Sequence, residues 1–134
     1  MIAGIGTDLC DVRRIEAAVT RQGERFVARI LGPQEQAVFH GRQTSHASRA
    51  WRYLASRFAA KEAFSKAIGL GMRSPMNWHD CQVLNNELGQ PIIVLSGELA
   101  GWFARQAWHA HLSLSDEGDF ALAFVVIDHR PTTA

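Results

Sequence analysis

The sequence predicts an α+β fold in which a mainly antiparallel sheet packs against one long helix. The order of local patterns is the first reason: one strand, several helices, a hairpin, another helix and a second hairpin. Strands joined by short turns pair antiparallel, and this order is typical of α+β proteins. The chain has 134 residues, 47% of them hydrophobic, which suits one compact core. We therefore expect residues 1–134 to form a single domain.

The first predicted strand, residues 2–9, has two unlike faces. Because side chains alternate along a strand, Gly4, Gly6 and Asp8 share one face, and the two glycines leave it nearly bare. Another backbone or a ligand can approach such a surface closely. Asp11 is then expected to cap a short helix that runs through residues 15–19.

The remaining elements follow from periodicity and from chain breaks. Helices are predicted over 24–31, from Pro33, over 47–68 and over 97–108, the last capped by Ser96. A polar loop is predicted over 41–48. Strands are predicted over 81–84, 92–95, 109–115 and 120–128, followed by a frayed tail at 130–134.

The charge balance argues against general binding of nucleic acid. Fourteen basic and thirteen acidic residues give a net charge of +1, whereas phosphate neutralisation requires a basic excess. Five arginines nevertheless cluster near the start of the chain: Arg13, Arg14, Arg21, Arg25 and Arg29. They form either a solvated helical face or a docking face for an acidic partner.

Cysteine usage and hydropathy predict the compartment. Cys10 and Cys81 lack the spacing of a metal site or a disulfide framework, which fits a reducing compartment. The first ten residues do not resemble a signal peptide, and no run is apolar enough to span a bilayer. We expect a soluble, cytoplasmic protein that does not bind membranes.

A carboxylate in the longest predicted helix is the most informative local feature. Glu62 continues an apolar stripe, and Lys66 lies one turn beyond it. The stripe consists of Trp51, Leu54, Ala55 and Phe58. A carboxylate on the core side of a helix is costly unless a cation compensates it. A Glu62–Lys66 ion pair or a metal site would each provide that compensation.

Asp8 also has two interpretations. It is either a turn carboxylate that caps the next helix or, together with Glu62, a ligand of a metal ion. Mg²⁺ in proteins takes one or two carboxylates and completes its shell with water and phosphate oxygens. The spacing in the sequence does not decide whether the two side chains meet.

Other polar residues suggest a binding site for phosphate groups. Lys66 supplies a compact positive charge, and Gly69 and Gly71 after the helix allow close approach to the backbone. Arg57, on another face of that helix, either serves a pyrophosphate or faces solvent.

A later strand alternates polar and apolar residues. Its polar face consists of His109, His111, Ser113 and Ser115. The pattern favours a solvated strand face, and a zinc site is disfavoured because no third ligand lies nearby.

Three segments together resemble a known family. Residues 4–8 (GIGTD), followed by RIE at 14–16, resemble the first signature of bacterial holo-acyl-carrier-protein synthases. Residues 57–67 (RFAAKEAFSKA) resemble the F-x-x-K-E-x-x-x-K core of 4′-phosphopantetheinyl transferases, and 111–115 (HLSLS) resemble a third signature. The order, the separation and the hairpin at 87–91 also match, so the resemblance extends over nearly the whole chain.

The resemblance implies the 4′-phosphopantetheinyl transferase fold and its reaction. A serine of apo-acyl carrier protein attacks coenzyme A, giving holo-acyl carrier protein and adenosine 3′,5′-bisphosphate, in support of fatty acid biosynthesis. It also implies that Asp8 and Glu62 hold Mg²⁺, that Lys66 takes part in catalysis with them, and that Arg14, Arg21 and Arg25 meet the carrier. The residues implied in coenzyme A binding are Arg57, Ser65, Lys66, Gly69, Gly71, Pro91 and His111.

The family is also typically a homotrimer with sites shared between neighbours, and we expect the same here. Three alternatives remain at this point. The acceptor is a carrier domain of a polyketide or peptide synthetase, the chain is a non-catalytic interaction module, or it is a metal-dependent hydrolase. The first retains the transfer chemistry and changes only the partner.

Overall fold

The computed structural model describes residues 1–130 and confirms the α+β class. The strands are β1 Ile2–Asp11, β2 Cys81–Asn85, β3 Pro91–Leu95, β4 Trp108–Glu117 and β5 Phe120–His129. A three-stranded antiparallel sheet has the order β1-β5-β4, and β2 and β3 form a separate antiparallel hairpin. The helices are α1 Val12–Gln22, α2 Glu24–Ile30, α3 Pro33–Ser45, α4 Ala47–Ala67 and α5 Gly97–Arg105.

Helix α4 packs directly on the inner face of the sheet. A Cβ atom at Gly4 would overlap the carbonyl oxygen of Ala67, and one at Gly6 would overlap that of Ala63. The bare face of β1 therefore receives another backbone rather than a ligand, and only glycine permits this separation. Alanines on α4 keep the helix close to the sheet, since Ala63 is fully buried and Ala67 nearly so.

The outer face of the same sheet is apolar and exposed. Ile5 and Leu9 of β1 are each 60% exposed, and Leu122 and Phe124 of β5 are 42% and 41% exposed. Side chains of this size on two adjacent strands form a contiguous patch, which on a protein surface is a mark of an interaction site. We call these four residues the outer apolar face.

Two boundaries differ from the prediction. Helix α3 continues to Ser45, so most of the predicted loop at 41–48 is helical. Its polar side chains bond back to the helix, since the hydroxyls of Thr44 and Ser45 donate to Gly41 O at 2.9 and 3.2 Å. Helix α5 ends at Arg105 because Ala107 adopts a left-handed φ of 57° that turns the chain into β4.

Smaller features of the termini also differ. The Ser96 hydroxyl donates to Asp80 Oδ1 at 3.1 Å instead of capping α5. The predicted frayed tail lies outside the described residues apart from Arg130, whose N–H donates to Ala107 O at 2.9 Å. Within residues 1–130, no helix is both long and apolar enough to cross a membrane.

Candidate active site

The packing of β1 on α4 brings Asp8 to the middle of that helix. Gly4 lies against Ala67 and Gly6 against Ala63, so two strand residues advance by one turn of the helix. This match is expected, because two strand residues span about 6.6 Å and four helical residues about 6 Å. Asp8, two residues further along the same face, therefore lies beside the turn of α4 that carries Glu62.

Lys66 pairs with Asp8 rather than with Glu62. Its Nζ lies 3.3 Å from Asp8 Oδ1 and donates to Thr7 O at 3.0 Å. The lysine side chain is 53% exposed and the aspartate 18%. Among the described residues Glu62 forms no ion pair, so the predicted Glu62–Lys66 pair is wrong. The capping role considered for Asp8 is also wrong, since Asp11 caps α1 by accepting from Arg13 N at 2.9 Å.

The electrostatics of the two carboxyl groups indicate proximity. Burial raises the pKa of Glu62, the Asp8 carboxylate raises it further, and Lys66 opposes both effects. Burial also raises the pKa of Asp8, against the lowering influence of Lys66 and Arg14. Two neighbouring, partly buried carboxylates near a single ammonium carry an excess of negative charge. A hard divalent cation fits this donor set.

The two carboxylates alone are a partial coordination shell. Within residues 1–130, no three side chains of His, Cys, Asp and Glu are grouped as a metal cluster. Mg²⁺ is commonly held by one or two carboxylates and by oxygens of water and substrate phosphates. Asp8 and Glu62 therefore match the protein contribution expected for Mg²⁺ better than that expected for a closed zinc site.

The end of α4 holds three further residues predicted to bind coenzyme A. Ser65 is 1% exposed, and its hydroxyl donates to Glu62 O at 2.7 Å, so it stabilises the helix near the carboxylates. Gly69 and Gly71 follow with φ of 81° and 59°, the left-handed region that glycine favours. Nothing crowds the position of a Cβ atom at either glycine, so the turn is open on that side.

Arg57 does not face solvent and does not join Asp8. It is 6% exposed and donates to Val83 O at 3.2 Å and to Asn85 Oδ1 at 2.7 Å. Its guanidinium also lies over the ring of Tyr53, 4.2 Å from the centroid. The solvent-facing alternative is therefore wrong. Its assignment to a nucleotide phosphate stays a prediction, and these contacts within the protein do not support it.

Pro91 and His111 come together at a different place. They line a cleft of about 570 Å³ between β3 and β4. In the strand register, His111 aligns with Val126 and Ile5, which lie on the outer face of the sheet. Asp8 aligns with Ala123 and Leu114, which lie on the inner face. Within one chain, His111 and Asp8 therefore lie on opposite sides of the same sheet.

Two of the three predicted partner residues line a groove beside the carboxylates. Arg14 and Arg21 line it with Ile15, Phe26 and Phe58, in a volume of about 290 Å³. Arg25 is exposed on α2, one residue before Phe26, and is not part of the lining. Arg14 acts on the pKa of Asp8, so the groove opens next to the candidate site. We call it the α1–α4 groove.

Sequence reasoning missed two charged groups. Glu35 and Lys61 form a fully buried ion pair with an Nζ–Oε1 distance of 2.6 Å. Helical spacing could have indicated that Lys61 is buried, because it lies seven residues after the buried Leu54 and thus on the same face of the helix.

The second group lines a cleft of about 340 Å³ and consists of Arg42, Arg49 and Arg52, with Ser45 and Asp116. Arginines grouped in this way suit an anion.

Comparison with known proteins agrees with the fold and with the family that the sequence motifs resemble. Residues 4–125 match the model of the 4′-phosphopantetheinyl transferase superfamily. A holo-(acyl-carrier-protein) synthase of Methylibium petroleiphilum is 54% identical over 132 residues, which cover 98% of this chain and 100% of that protein. One of Leptothrix cholodnii is 55% identical, covering 96% of this chain and 97% of the relative. The chain belongs to the 4′-phosphopantetheinyl transferase superfamily.

Solved structures give the same result. The crystal structure of holo-(acyl-carrier-protein) synthase from Neisseria meningitidis superposes with a TM-score of 0.88 at 40% identity, covering 96% of this chain and 99% of that one. The Bacillus anthracis enzyme, in complex with coenzyme A (3′,5′-ADP), gives a TM-score of 0.80 at 36% identity, covering 97% and 99%. The predicted family and fold are confirmed.

Proposed function

We propose that this protein transfers 4′-phosphopantetheine from coenzyme A to a serine of apo-acyl carrier protein, with residues 1–134 acting as one domain. The observation that carries the proposal is the grouping of Asp8, Glu62 and Lys66 in a chain of this superfamily. The new bond joins the serine oxygen to the β-phosphorus of coenzyme A. The bond from that phosphorus to the bridging oxygen breaks, and adenosine 3′,5′-bisphosphate leaves.

Asp8 and Glu62 are the residues that would hold Mg²⁺. Their shared excess of negative charge and their partial burial support this assignment. When bound, Mg²⁺ neutralises charge on the pyrophosphate and helps to align it for in-line displacement. Phosphoryl transfer needs mainly such alignment and charge neutralisation, so few further catalytic groups are required.

Glu62 is the best candidate to accept the proton of the serine hydroxyl. Its carboxylate lies beside Asp8 at the position proposed for the pyrophosphate, and a carboxylate within reach of the hydroxyl is suited to accept a proton. Lys66, whose ammonium lies at the exposed edge of the site, stabilises the phosphates and the leaving group. Both roles place the chemistry at the junction of β1 and α4.

Coenzyme A binding is proposed for residues in two regions of the molecule, the end of α4 with the turn that follows it and the cleft between β3 and β4. The Ser65 hydroxyl donates to the carbonyl of Glu62, and the open turn at Gly69 and Gly71 supports contact with a ligand. Pro91 and His111 share the cleft between β3 and β4. Arg57 remains the least supported member, because its hydrogen bonds are made within the protein.

A homotrimer would bring His111 to the site. His111 and Asp8 lie on opposite sides of one sheet, so a site that contains both needs a second chain. The outer apolar face, with Ile5 and Phe124, borders His111 and supplies a hydrophobic surface for association. Asp8, Glu62 and Lys66 of one chain would then act with His111 of its neighbour.

Complementation tests the shared site. Glu62→Gln and His111→Ala would each be inactive alone, whereas a refolded mixture would contain sites that combine the intact Glu62 of one chain with the intact His111 of another. We expect activity to return in the mixture. A mixture as inactive as its components, or an active monomer by light scattering, would contradict the shared trimeric site.

The acidic acyl carrier protein is proposed to dock at Arg14, Arg21 and Arg25. Arg14 and Arg21 surround an apolar groove next to the carboxylates, a combination that suits an acidic partner with an apolar anchor. We assign the activity to the cytoplasm and to fatty acid biosynthesis. Two buried, free cysteines are compatible with a reducing compartment.

The proposal is tested by the intact mass of apo-acyl carrier protein after incubation with coenzyme A and Mg²⁺. We expect one added 4′-phosphopantetheine, and loss of the addition with Glu62→Gln. Glu98→Gln, on the exposed first turn of α5, is the matched control and retains activity. Free phosphopantetheine with an unmodified carrier would instead identify a hydrolase.

The same assay separates the two classes of carrier. Carrier domains of polyketide and peptide synthetases are assayed beside acyl carrier protein, and we expect the highest kcat/KM with the latter. Mg²⁺ with coenzyme A should also raise the melting temperature, because ligands that bind the folded state stabilise it. A protein that neither modifies a carrier nor gains thermal stability would be an interaction module.

A further inference from the structure

The Glu35–Lys61 pair is buried, charged and absent from the chemistry proposed above. Both side chains are 0% exposed, and Nζ lies 2.6 Å from Oε1. Burial lowers the pKa of Lys61, and the Glu35 carboxylate opposes that shift. Within residues 1–130, no buried side-chain nitrogen or oxygen lacks a hydrogen-bond partner, so the pair is fully satisfied.

Lys61 joins three parts of the chain to α4. Its ammonium has three donors, and each has an acceptor: Glu35 Oε1, Ile30 O at 2.6 Å and Trp78 O at 2.8 Å. Ile30 is the last residue of α2, and Trp78 lies in the segment between α4 and β2. The ammonium therefore fixes the end of α2 and this segment against the middle of α4.

Glu35 extends the network to α3 and β2. Its Oε1 also accepts from Gly32 N at 2.9 Å, which closes the first turn of α3. Its Oε2 accepts from Val83 N at 2.8 Å, in the centre of β2. Both oxygens of the carboxylate thus accept from groups whose positions they determine.

Two of the elements joined in this way, α2 and α4, each contribute an aromatic wall to the α1–α4 groove, whose other wall is α1. Phe26 of α2 and Phe58 of α4 both line it. The Trp78 ring stacks on the Phe58 ring, with centroids 5.3 Å apart and planes at 22°. Lys61 holds the carbonyls of Ile30 and Trp78, so it acts on both aromatic walls, and the next residue of α4 is Glu62.

Stability alone explains such a pair poorly. A buried ion pair often contributes no more than apolar residues of similar volume, because desolvation offsets the attraction. We propose that Glu35 and Lys61 are positioning residues for the transfer reaction: they hold the groove walls so that a docked carrier presents its serine to Glu62. This inference rests on the proposed function and adds a role for residues outside the chemistry.

The test compares a step that needs the groove with one that does not. Glu35→Gln/Lys61→Met removes both charges, so no uncompensated ion stays buried. We expect kcat/KM for apo-acyl carrier protein to fall about tenfold, while the Kd for coenzyme A, measured by calorimetry, changes less than about twofold. Leu99→Ala, a fully buried substitution in α5 outside the network, is the destabilised control and retains the wild-type ratio.

A second variant leaves the ion pair intact. Trp78→Leu keeps the carbonyl that Lys61 binds but removes the ring that stacks on Phe58, and it should lower kcat/KM for the carrier in the same selective way. An unchanged kcat/KM in Trp78→Leu, or an equal loss in Leu99→Ala, would overturn the positioning role. Wild-type protein that fails to modify the carrier would instead contradict the proposed function.

Discussion

Helix α4 carries two lysine–carboxylate pairs that differ in almost every physical respect. Glu35–Lys61 is fully buried with an N–O distance of 2.6 Å, whereas Asp8–Lys66 is partly exposed at 3.3 Å. The buried ammonium has three acceptors from three different parts of the chain. Within residues 1–130, the partners of the exposed ammonium are Asp8 and the neighbouring Thr7 O, both on β1.

The difference separates a pair that can rearrange from one that cannot. An exposed pair gains little net energy, so its ammonium can leave Asp8 for a phosphate at small cost. A buried pair cannot lose one partner without leaving an ion in the core. Five residues apart on one helix, these lysines thus act as a mobile charge for chemistry and as a fixed anchor for the surrounding elements.

The largest expected effect is on stability. Lys61→Met leaves the Glu35 carboxylate buried without its partner and should reduce the free energy of unfolding by about 3–5 kcal/mol. Lys66→Met, the matched change at the exposed pair, should alter it by less than about 1 kcal/mol. Urea denaturation measures both values. Equal losses in the two variants would contradict the distinction between the pairs.

The next largest effect is on metal affinity. Removal of the Lys66 ammonium should increase the affinity for a divalent cation, whereas removal of the Lys61 ammonium decreases stability. A divalent cation at Asp8 and Glu62 would be repelled by the Lys66 ammonium, an interaction of about 8 kcal/mol at 4 Å with an effective dielectric of about 20. Exposure reduces this, so Lys66→Met should bind Mn²⁺ or Mg²⁺ without coenzyme A about tenfold more tightly. Calorimetry gives the affinity.

Two variants control that measurement. Lys66→Arg retains the charge and should bind the metal like the wild type. Arg73→Met removes a cation whose hydrogen bonds go to Gly69 O and Leu70 O, and it should also have little effect. Weaker metal binding in Lys66→Met would show that the ammonium does not oppose the cation.

A smaller effect is expected at the groove. Arg14→Glu and Arg21→Glu should each raise KM for the carrier several-fold and change its dependence on salt, because charges at the edge of an interface act mainly on association. Arg105→Glu, an exposed change on α5, is the control. Steady-state kinetics at two ionic strengths measure the effect. An unchanged KM would show that these arginines are not part of the docking face.

The smallest effect is the pH dependence of stability at Glu62. Its raised pKa means that the folded protein binds the proton more tightly than the unfolded chain, so ionised Glu62 lowers stability above its ordinary pKa of 4.5. Glu62→Gln should therefore melt about 1–3 °C higher than the wild type at pH 7. The difference should disappear as the pH falls below 4.5, and a lower melting temperature at pH 7 would be inconsistent with this account.

Local patterns predicted the elements that depend on local interactions. Periodicity and Gly69 located α4 and the strands to within about two residues, and the bare face of β1 indicated close approach of a backbone or a ligand, of which the structure shows a backbone. The loop at 41–48 was wrong because Thr44 and Ser45 satisfy their hydroxyls within α3, which turn composition does not reveal.

The arrangement of charges depended on packing between distant segments and could not be read from spacing. Helical distance favoured Lys66 with Glu62, yet β1 brings Asp8 closer to the ammonium. Glu62 was judged the anomalous charge of the core face, but Lys61, one residue earlier, is the fully buried one. Its partner Glu35 lies 26 residues away in sequence, so neither residue alone indicates the pair.

The most direct measurement of the central claim is the mass of apo-acyl carrier protein after reaction with wild-type protein, Glu62→Gln and Glu98→Gln at equal folded concentrations. The account predicts one added 4′-phosphopantetheine with the wild type and Glu98→Gln, and a loss of at least about a hundredfold in rate with Glu62→Gln. An unmodified carrier with the wild type, or full activity of Glu62→Gln, would contradict it.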